Sequence, residues 1–102
     1  MRFLIKVSLP VAAGNAAAKK GFKAIPSILE ELKPEAAYFY EENGKRTGVL
    51  IVDLQETSQI PAVAEPWFLG FNAAVEFHPV MSPDDLKKAG PAIQRAVKNY
   101  AM

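Results

Sequence analysis

An α+β domain of βαββαβ order, with one further helix after it, is what the sequence predicts. Two segments alternate apolar and polar residues with period two, at 2–9 and 71–78. An Asn-Gly dipeptide separates two further strand-like runs between residues 36 and 54, and helix-forming stretches lie between the strands. The chain has 102 residues, half of them hydrophobic. That is one domain, 1–102, with room for a single core.

The first strand covers residues 2–9, with Phe3, Ile5, Val7 and Leu9 on one face and Arg2, Leu4, Lys6 and Ser8 on the other. Pro10 ends it. Residues 12–24 are rich in alanine and lysine and predict a helix. Pro26 forces a second piece, 26–33, with Ile28, Leu29 and Leu32 on one side and Pro34 after it.

Asn43-Gly44 predicts a two-residue type I′ turn, because both central positions need positive φ. The register that follows sets Glu42 against Lys45 and Glu41 against Arg46, opposite charges across the strands. It also sets Tyr40 against Thr47, Tyr38 against Val49 and Ala37 against Leu50.

A short helix is expected over 58–69, with Ser58 as N-cap, Pro61 in the first turn and an irregular end at Pro66. The last strand is expected over 71–78, with Phe71, Ala73, Val75 and Phe77 on one face and Asn72, Ala74, Glu76 and His78 on the other. Ser82-Pro83-Asp84-Asp85 opens a final helix over 83–100, broken at Gly90-Pro91. The order is the ferredoxin-like plan, an antiparallel sheet with the first strand beside the last and both helices on one face.

Composition excludes several function classes. Twelve basic residues oppose eleven acidic ones. The first half, 1–51, holds eight basic and five acidic residues, and the second holds four and six, so no basic nucleic-acid footprint exists. The absence of cysteine removes disulfides, thiolate nucleophiles and cysteine metal sites. Lys6 interrupts the apolar N-terminus, so neither a signal peptide nor a membrane span is expected, and the expected location is cytoplasmic.

With helices on one face only, the sets Phe3/Ile5/Val7/Leu9, Leu50/Val52/Leu54 and Ala73/Val75/Phe77, with Ala37 and Phe39, are the expected core. The other face carries Leu4, Tyr38, Tyr40, Thr47, Val49, Ile51 and Asp53, with Lys6, Ser8, Ala74, Glu76 and His78. A face this apolar is expected to pack against its symmetry mate, giving a homodimer with a cavity between two sheets.

Across residues 2–79 the chain resembles the dimeric α+β barrel superfamily, which includes muconolactone isomerase and the small antibiotic-biosynthesis monooxygenases. The opening Met1-Arg2-Phe3-Leu4-Ile5-Lys6-Val7 carries part of a further resemblance. The segments Glu65-Pro66-Trp67-Phe68-Leu69-Gly70-Phe71-Asn72 and Val75-Glu76-Phe77-His78-Pro79-Val80 carry the rest. They look like a family of short, uncharacterised proteins of this type. The resemblance implies two sheets packed face to face, but no catalytic motif transfers residue by residue.

Among candidate site residues, His78 is the only histidine. It reads as a general acid or base near neutral pH, or as a strand-end histidine bonded to the backbone. Glu76 lies two residues earlier on the same face, where a carboxylate can hold an imidazole's tautomer. Lys6 on the neighbouring strand either joins them or pairs with Glu76 as a structural ion pair. Tyr38 and Tyr40 offer hydroxyls to an organic ligand, or packing. Asp53 ends its strand, and Trp67 either walls a pocket mouth or belongs to core or interface.

One histidine with Glu76 and Asp53 lacks the spacing of a metal site, and there is no glycine-rich phosphate loop or serine elbow. Neither metal nor cofactor is expected. Two functions remain. One is a cofactor-free enzyme acting by proton transfer on a small organic acid, lactone or aromatic. The other is a non-catalytic dimeric module that binds a small molecule or a protein.

Overall fold

The computed structural model describes residues 1–102. Four strands form one antiparallel sheet: β1 (Arg2–Ser8), β2 (Ala36–Glu42), β3 (Lys45–Asp53) and β4 (Ala74–Pro79), in the order β2-β3-β1-β4. Helices α1 (Val11–Lys19) and α2 (Ala24–Leu32) join β1 to β2. A single 3₁₀ turn, Thr57–Gln59, leads into α3 (Ile60–Phe71), which joins β3 to β4. Helices α4 (Pro83–Lys88) and α5 (Gly90–Tyr100) follow.

The hairpin adopts the register that Asn43-Gly44 dictates. Glu42 pairs with Lys45, Tyr40 with Thr47, Tyr38 with Val49 and Ala37 with Leu50. Asn43 and Gly44 have φ of 55° and 74°, the doubly left-handed tip of a type I′ turn. The first and last strands are neighbours, with Ile5 opposite Phe77 and Lys6 opposite Glu76.

The core lies between one sheet face and the helices. Phe3, Ile5, Val7, Leu50 and Val52 point into it from the strands, Ile28 from α2, and Val63, Trp67 and Phe71 from α3. Fully burying each large side chain contributes about 1.5–3 kcal/mol, which fixes the parity of every strand.

Four local expectations are corrected. Ser58 does not cap the third helix. The Gln59 side chain accepts the backbone N–H groups of Gln55 (2.7 Å) and Glu56 (2.9 Å), while Ser58 donates to the Glu56 carboxylate. Pro66 does not end that helix, which runs on to Phe71 because Val63, Ala64, Trp67 and Phe71 recur on one helical face and are all buried.

Phe71 is therefore helical, not the first residue of a strand. Asn72, left-handed at φ 53°, reverses the chain, and β4 begins at Ala74. Phe39 shares the parity of the core but is 54% exposed, because on the outer strand it borders an open cleft and not a packed helix.

The final segment begins as Ser82 predicts. Its hydroxyl accepts the backbone N–H of Asp85 (3.1 Å), and Asp85 accepts that of Ser82 (3.0 Å), which lowers the Asp85 carboxyl below its usual range. The break before Pro91 falls at Ala89, between α4 and α5. No residue of α5 is buried. The molecule is extended, 57 × 29 × 20 Å, with a radius of gyration of 17.3 Å; a compact chain of this length has about 13 Å.

Candidate functional site

The sheet face away from α1–α3 carries every side chain of opposite parity to the core. Register arranges them in rows across β2, β3, β1 and β4: Tyr38–Val49–Lys6–Glu76, Ala36–Ile51–Leu4–His78 and Tyr40–Thr47–Ser8–Ala74. Lys6, Glu76 and His78 thus meet on one face, as alternation on neighbouring strands requires.

A connected polar chain runs over these rows. The Tyr40 hydroxyl donates to Glu42 Oε1 (2.8 Å), and Glu42 Oε2 pairs closely with Lys6 Nζ. Lys6 Nζ lies 3.6 Å from Glu76 Oε2, and the other oxygen of that carboxylate, Oε1, lies 3.3 Å from His78 Nε2. The two oxygens of Glu76 therefore bridge an ammonium and an imidazole. Apolar side chains surround the chain: Leu4, Val49 and Ile51 are half-buried, and Tyr38 is 71% exposed.

The charges tune one another. The hydrogen bond from Lys6, then that from Tyr40, holds the Glu42 carboxyl below its usual value. The same contact with Glu42 raises the Lys6 ammonium. The bond to Glu42 also raises the Tyr40 phenol.

Glu42 is the member that sequence reasoning missed. In the sequence Glu42 reads as the turn-flanking partner of Lys45, and the register does place Lys45 opposite it. Yet Tyr38, Tyr40 and Glu42 share parity on β2, and extending the alternation two residues brings Glu42 onto the open face with Lys6.

Two expected site residues are not part of this polar chain. Asp53, at the end of β3, accepts from the N-terminal ammonium of Met1 at 2.8 Å, which lowers its carboxyl. Trp67 sits on the helix side of the sheet, 1% exposed, with its ring 5.7 Å from that of Phe71. No three His, Asp or Glu side chains converge as a metal site would need. No helix is long and apolar enough to cross a membrane.

The two principal cavities lie away from His78 and Glu76. The larger, about 650 Å³, opens on the helix side of the sheet between the β2–β3 hairpin and the α1–α2 connection. The second lies between α1 and the end of α3.

Fold and site together define a small α+β protein: one four-stranded antiparallel sheet, a helix-covered core face and an open face with a polar chain across it. Residues 1–94 match the family described as "Domain of unknown function (DUF3303)", and the chain belongs to that family. No curated protein matches it significantly.

Proposed function

We propose that two copies of this ferredoxin-like chain pack their open sheet faces together as a dimeric α+β barrel. The space between them then encloses Lys6, Glu76 and His78 as a site for a small organic acid, lactone or aromatic. His78 moves a proton on that substrate, Glu76 orients the imidazole through the 3.3 Å contact, and Lys6 attracts an anionic group. The chemistry needs no cofactor.

The observation that carries this reading is the juxtaposition of an uncovered apolar face with an imidazole–carboxylate–ammonium chain that runs from β1 to the edge strand β4. The strand order β2-β3-β1-β4, with the helices confined to one face, supports the ferredoxin-like plan. Leu4, Tyr38, Val49 and Ile51 favour burial against a partner. Helix α5 adds a second unpartnered apolar stripe, with Ile93 50%, Val97 57% and Tyr100 79% exposed. Enclosure would also strengthen every charge interaction on the face, since each becomes less screened by water.

Proton washout tests the reaction. A panel of small lactones and keto acids is incubated with the protein in D2O, and loss of the enolisable C–H signals is followed by proton NMR. The expected result is catalysed exchange that His78→Ala abolishes and Glu76→Gln slows by about 10²-fold, the usual scale of a general acid–base contribution. Binding without exchange across the panel would leave the non-catalytic module in its place.

A further inference from the structure

We propose that the 650 Å³ cleft on the helix side of the sheet is a binding site for a small monocarboxylic acid with an aromatic or branched apolar body. The cleft opens on the opposite side of the sheet from Lys6, Glu76 and His78, although Tyr40 and Thr47 of the open-face rows also border it. Its volume falls within the range of about 300–1,000 Å³ typical of small-molecule pockets.

The walls are apolar, and the mouth carries one cation, Arg46, with one anion, Glu41, across the hairpin from it. Val7 of β1 and Leu9 just after it, Phe39 from β2, Phe22 from the α1–α2 connection, and Ile25 and Pro26 from the first turn of α2 supply the walls. Arg46 lines the same cleft, its guanidinium 5.9 Å from the centroid of Phe22 and its Nη1 donating to Asn15 Oδ1 at 2.9 Å. One carboxamide leaves most of its five N–H donors free for a carboxylate. Glu41 stands opposite Arg46 across the hairpin and also lines the cleft, but its Oε2 accepts the turn N–H of Gly44 at 3.2 Å.

The backbone around the cleft is specialised at two kinds of position. Phe22 is held at φ 51°, directly after Gly21 at φ 71°. A bulky aromatic in the left-handed region is strained, and such strain collects where function needs a side chain in one place. Two glycines make room for the cleft's side chains. A Cβ on Gly48 would lie 3.1 Å from the Phe39 ring, and one on Gly14 would lie 3.0 Å from Arg46 Nη1.

The indole of Trp67, which also lines the cleft, has the one buried side-chain polar atom without a partner, its Nε1. That N–H is sealed from solvent and so does not open into the cleft; the indole reports on what fills the cleft through the ring that borders it and is not itself a ligand to the acid.

The sequence contains a single tryptophan, so one indole N–H cross-peak reports on the site in a 15N-labelled sample. Phenylacetate and 4-methylpentanoate are the probes, with phenylacetamide as the neutral control. The expected result is a saturable shift of the indole cross-peak with both acids and binding of phenylacetamide weaker by about tenfold, the loss of one charge-assisted hydrogen bond. Arg46→Gln should remove the preference for the acid while the amide still binds, which separates loss of the cation from loss of the fold. Phe39→Ala should weaken acid and amide alike. Failure of both acids to move the indole signal at millimolar concentration, or equal affinity for acid and amide in the unsubstituted protein, would overturn the assignment.

Discussion

Lys6 on β1 and Glu42 on β2 form a close ion pair although β3 lies between their strands. The row of Thr47 falls between the rows of the two partners, and Thr47 is buried on a face that is otherwise open. The pair thus ties the outer strand of the hairpin to the strand that carries the centre of the face. It also leaves the ammonium of Lys6 shared between Glu42 and Glu76.

This pairing sets a pH signature. The Glu42 carboxyl is lowered from 4.5, so its contribution to stability is present above 4.5 and is lost as pH falls through the depressed folded value. Lys6 is raised from 10.5, so its contribution is present below 10.5 and is lost as pH rises through the elevated folded value. Thermal melts of the unsubstituted protein and of Glu42→Gln should therefore differ by a constant amount across neutral pH. The difference should close at both extremes and shrink in high salt, because both partners are partly solvated. A difference that persists unchanged at acid pH would mean that Glu42 acts through packing and not through its charge.

The hairpin tip gives a prediction that rests on backbone geometry alone. Gly44 stands at φ 74° with no atom near its missing Cβ, so a side chain there meets no neighbour but must adopt a left-handed conformation. Gly44→Val should cost at least about 1 kcal/mol, the scale of the left-handed penalty for a residue with a Cβ. Asn43→Asp, which keeps a side chain tolerant of that region, should cost less. Chemical denaturation of the two variants decides the point, with equal midpoints as the contrary result.

The parity of the strands and the core were legible in the sequence because burial on one face enforces period two. The register of β2 against β3 followed from a single dipeptide. What escaped was the join between α3 and β4. Phe71 satisfies both the period of the strand, with Ala73, Val75 and Phe77, and the period of the helix, with Val63, Ala64 and Trp67. The helix prevails because Phe71 then packs on Trp67, and Asn72 supplies the left-handed residue that ends the helix. Pro66 misled for a related reason, since loss of one helical hydrogen bond is outweighed by the burial of four side chains on the helix face.

At the site, alternation alone brought Lys6, Glu76 and His78 together. The cleft at Arg46 was not legible, because it depends on where the α1–α2 connection crosses the sheet and on a positive φ at a phenylalanine. No sequence rule anticipates such a residue.

The two ends of the core's parity give a contrasting pair of substitutions. Leu50 is 1% exposed between the sheet and the helices, whereas Phe39 has the same parity but lies at the edge, 54% exposed. Leu50→Ala should cost about 2–5 kcal/mol, as expected where a cavity remains. Phe39→Ala should cost about 1 kcal/mol or less, since its removal opens no enclosed void. Urea midpoints measure both, and comparable losses would return Phe39 to the core.

The last prediction concerns the open face as an interface. Val49 lies at its centre, between Tyr38 and Lys6 in the same row, and is half-buried by its own chain. Sheet-to-sheet packing would bury it fully, so Val49→Lys would place an ammonium in the middle of the interface beside that of Lys6. The cost of an unpaired buried charge beside a like charge should raise the dimer dissociation constant at least tenfold, about 1.4 kcal/mol or more. The fold should survive, because lysine in the monomer reaches water from this face. Sedimentation equilibrium at micromolar concentration should give twice the 11.1 kDa chain mass for the unsubstituted protein and a lower average mass for Val49→Lys, with matching circular dichroism. A chain that sediments at 11.1 kDa with Val49 in place would refute the paired sheets, and with them the enclosure that the His78 reading requires.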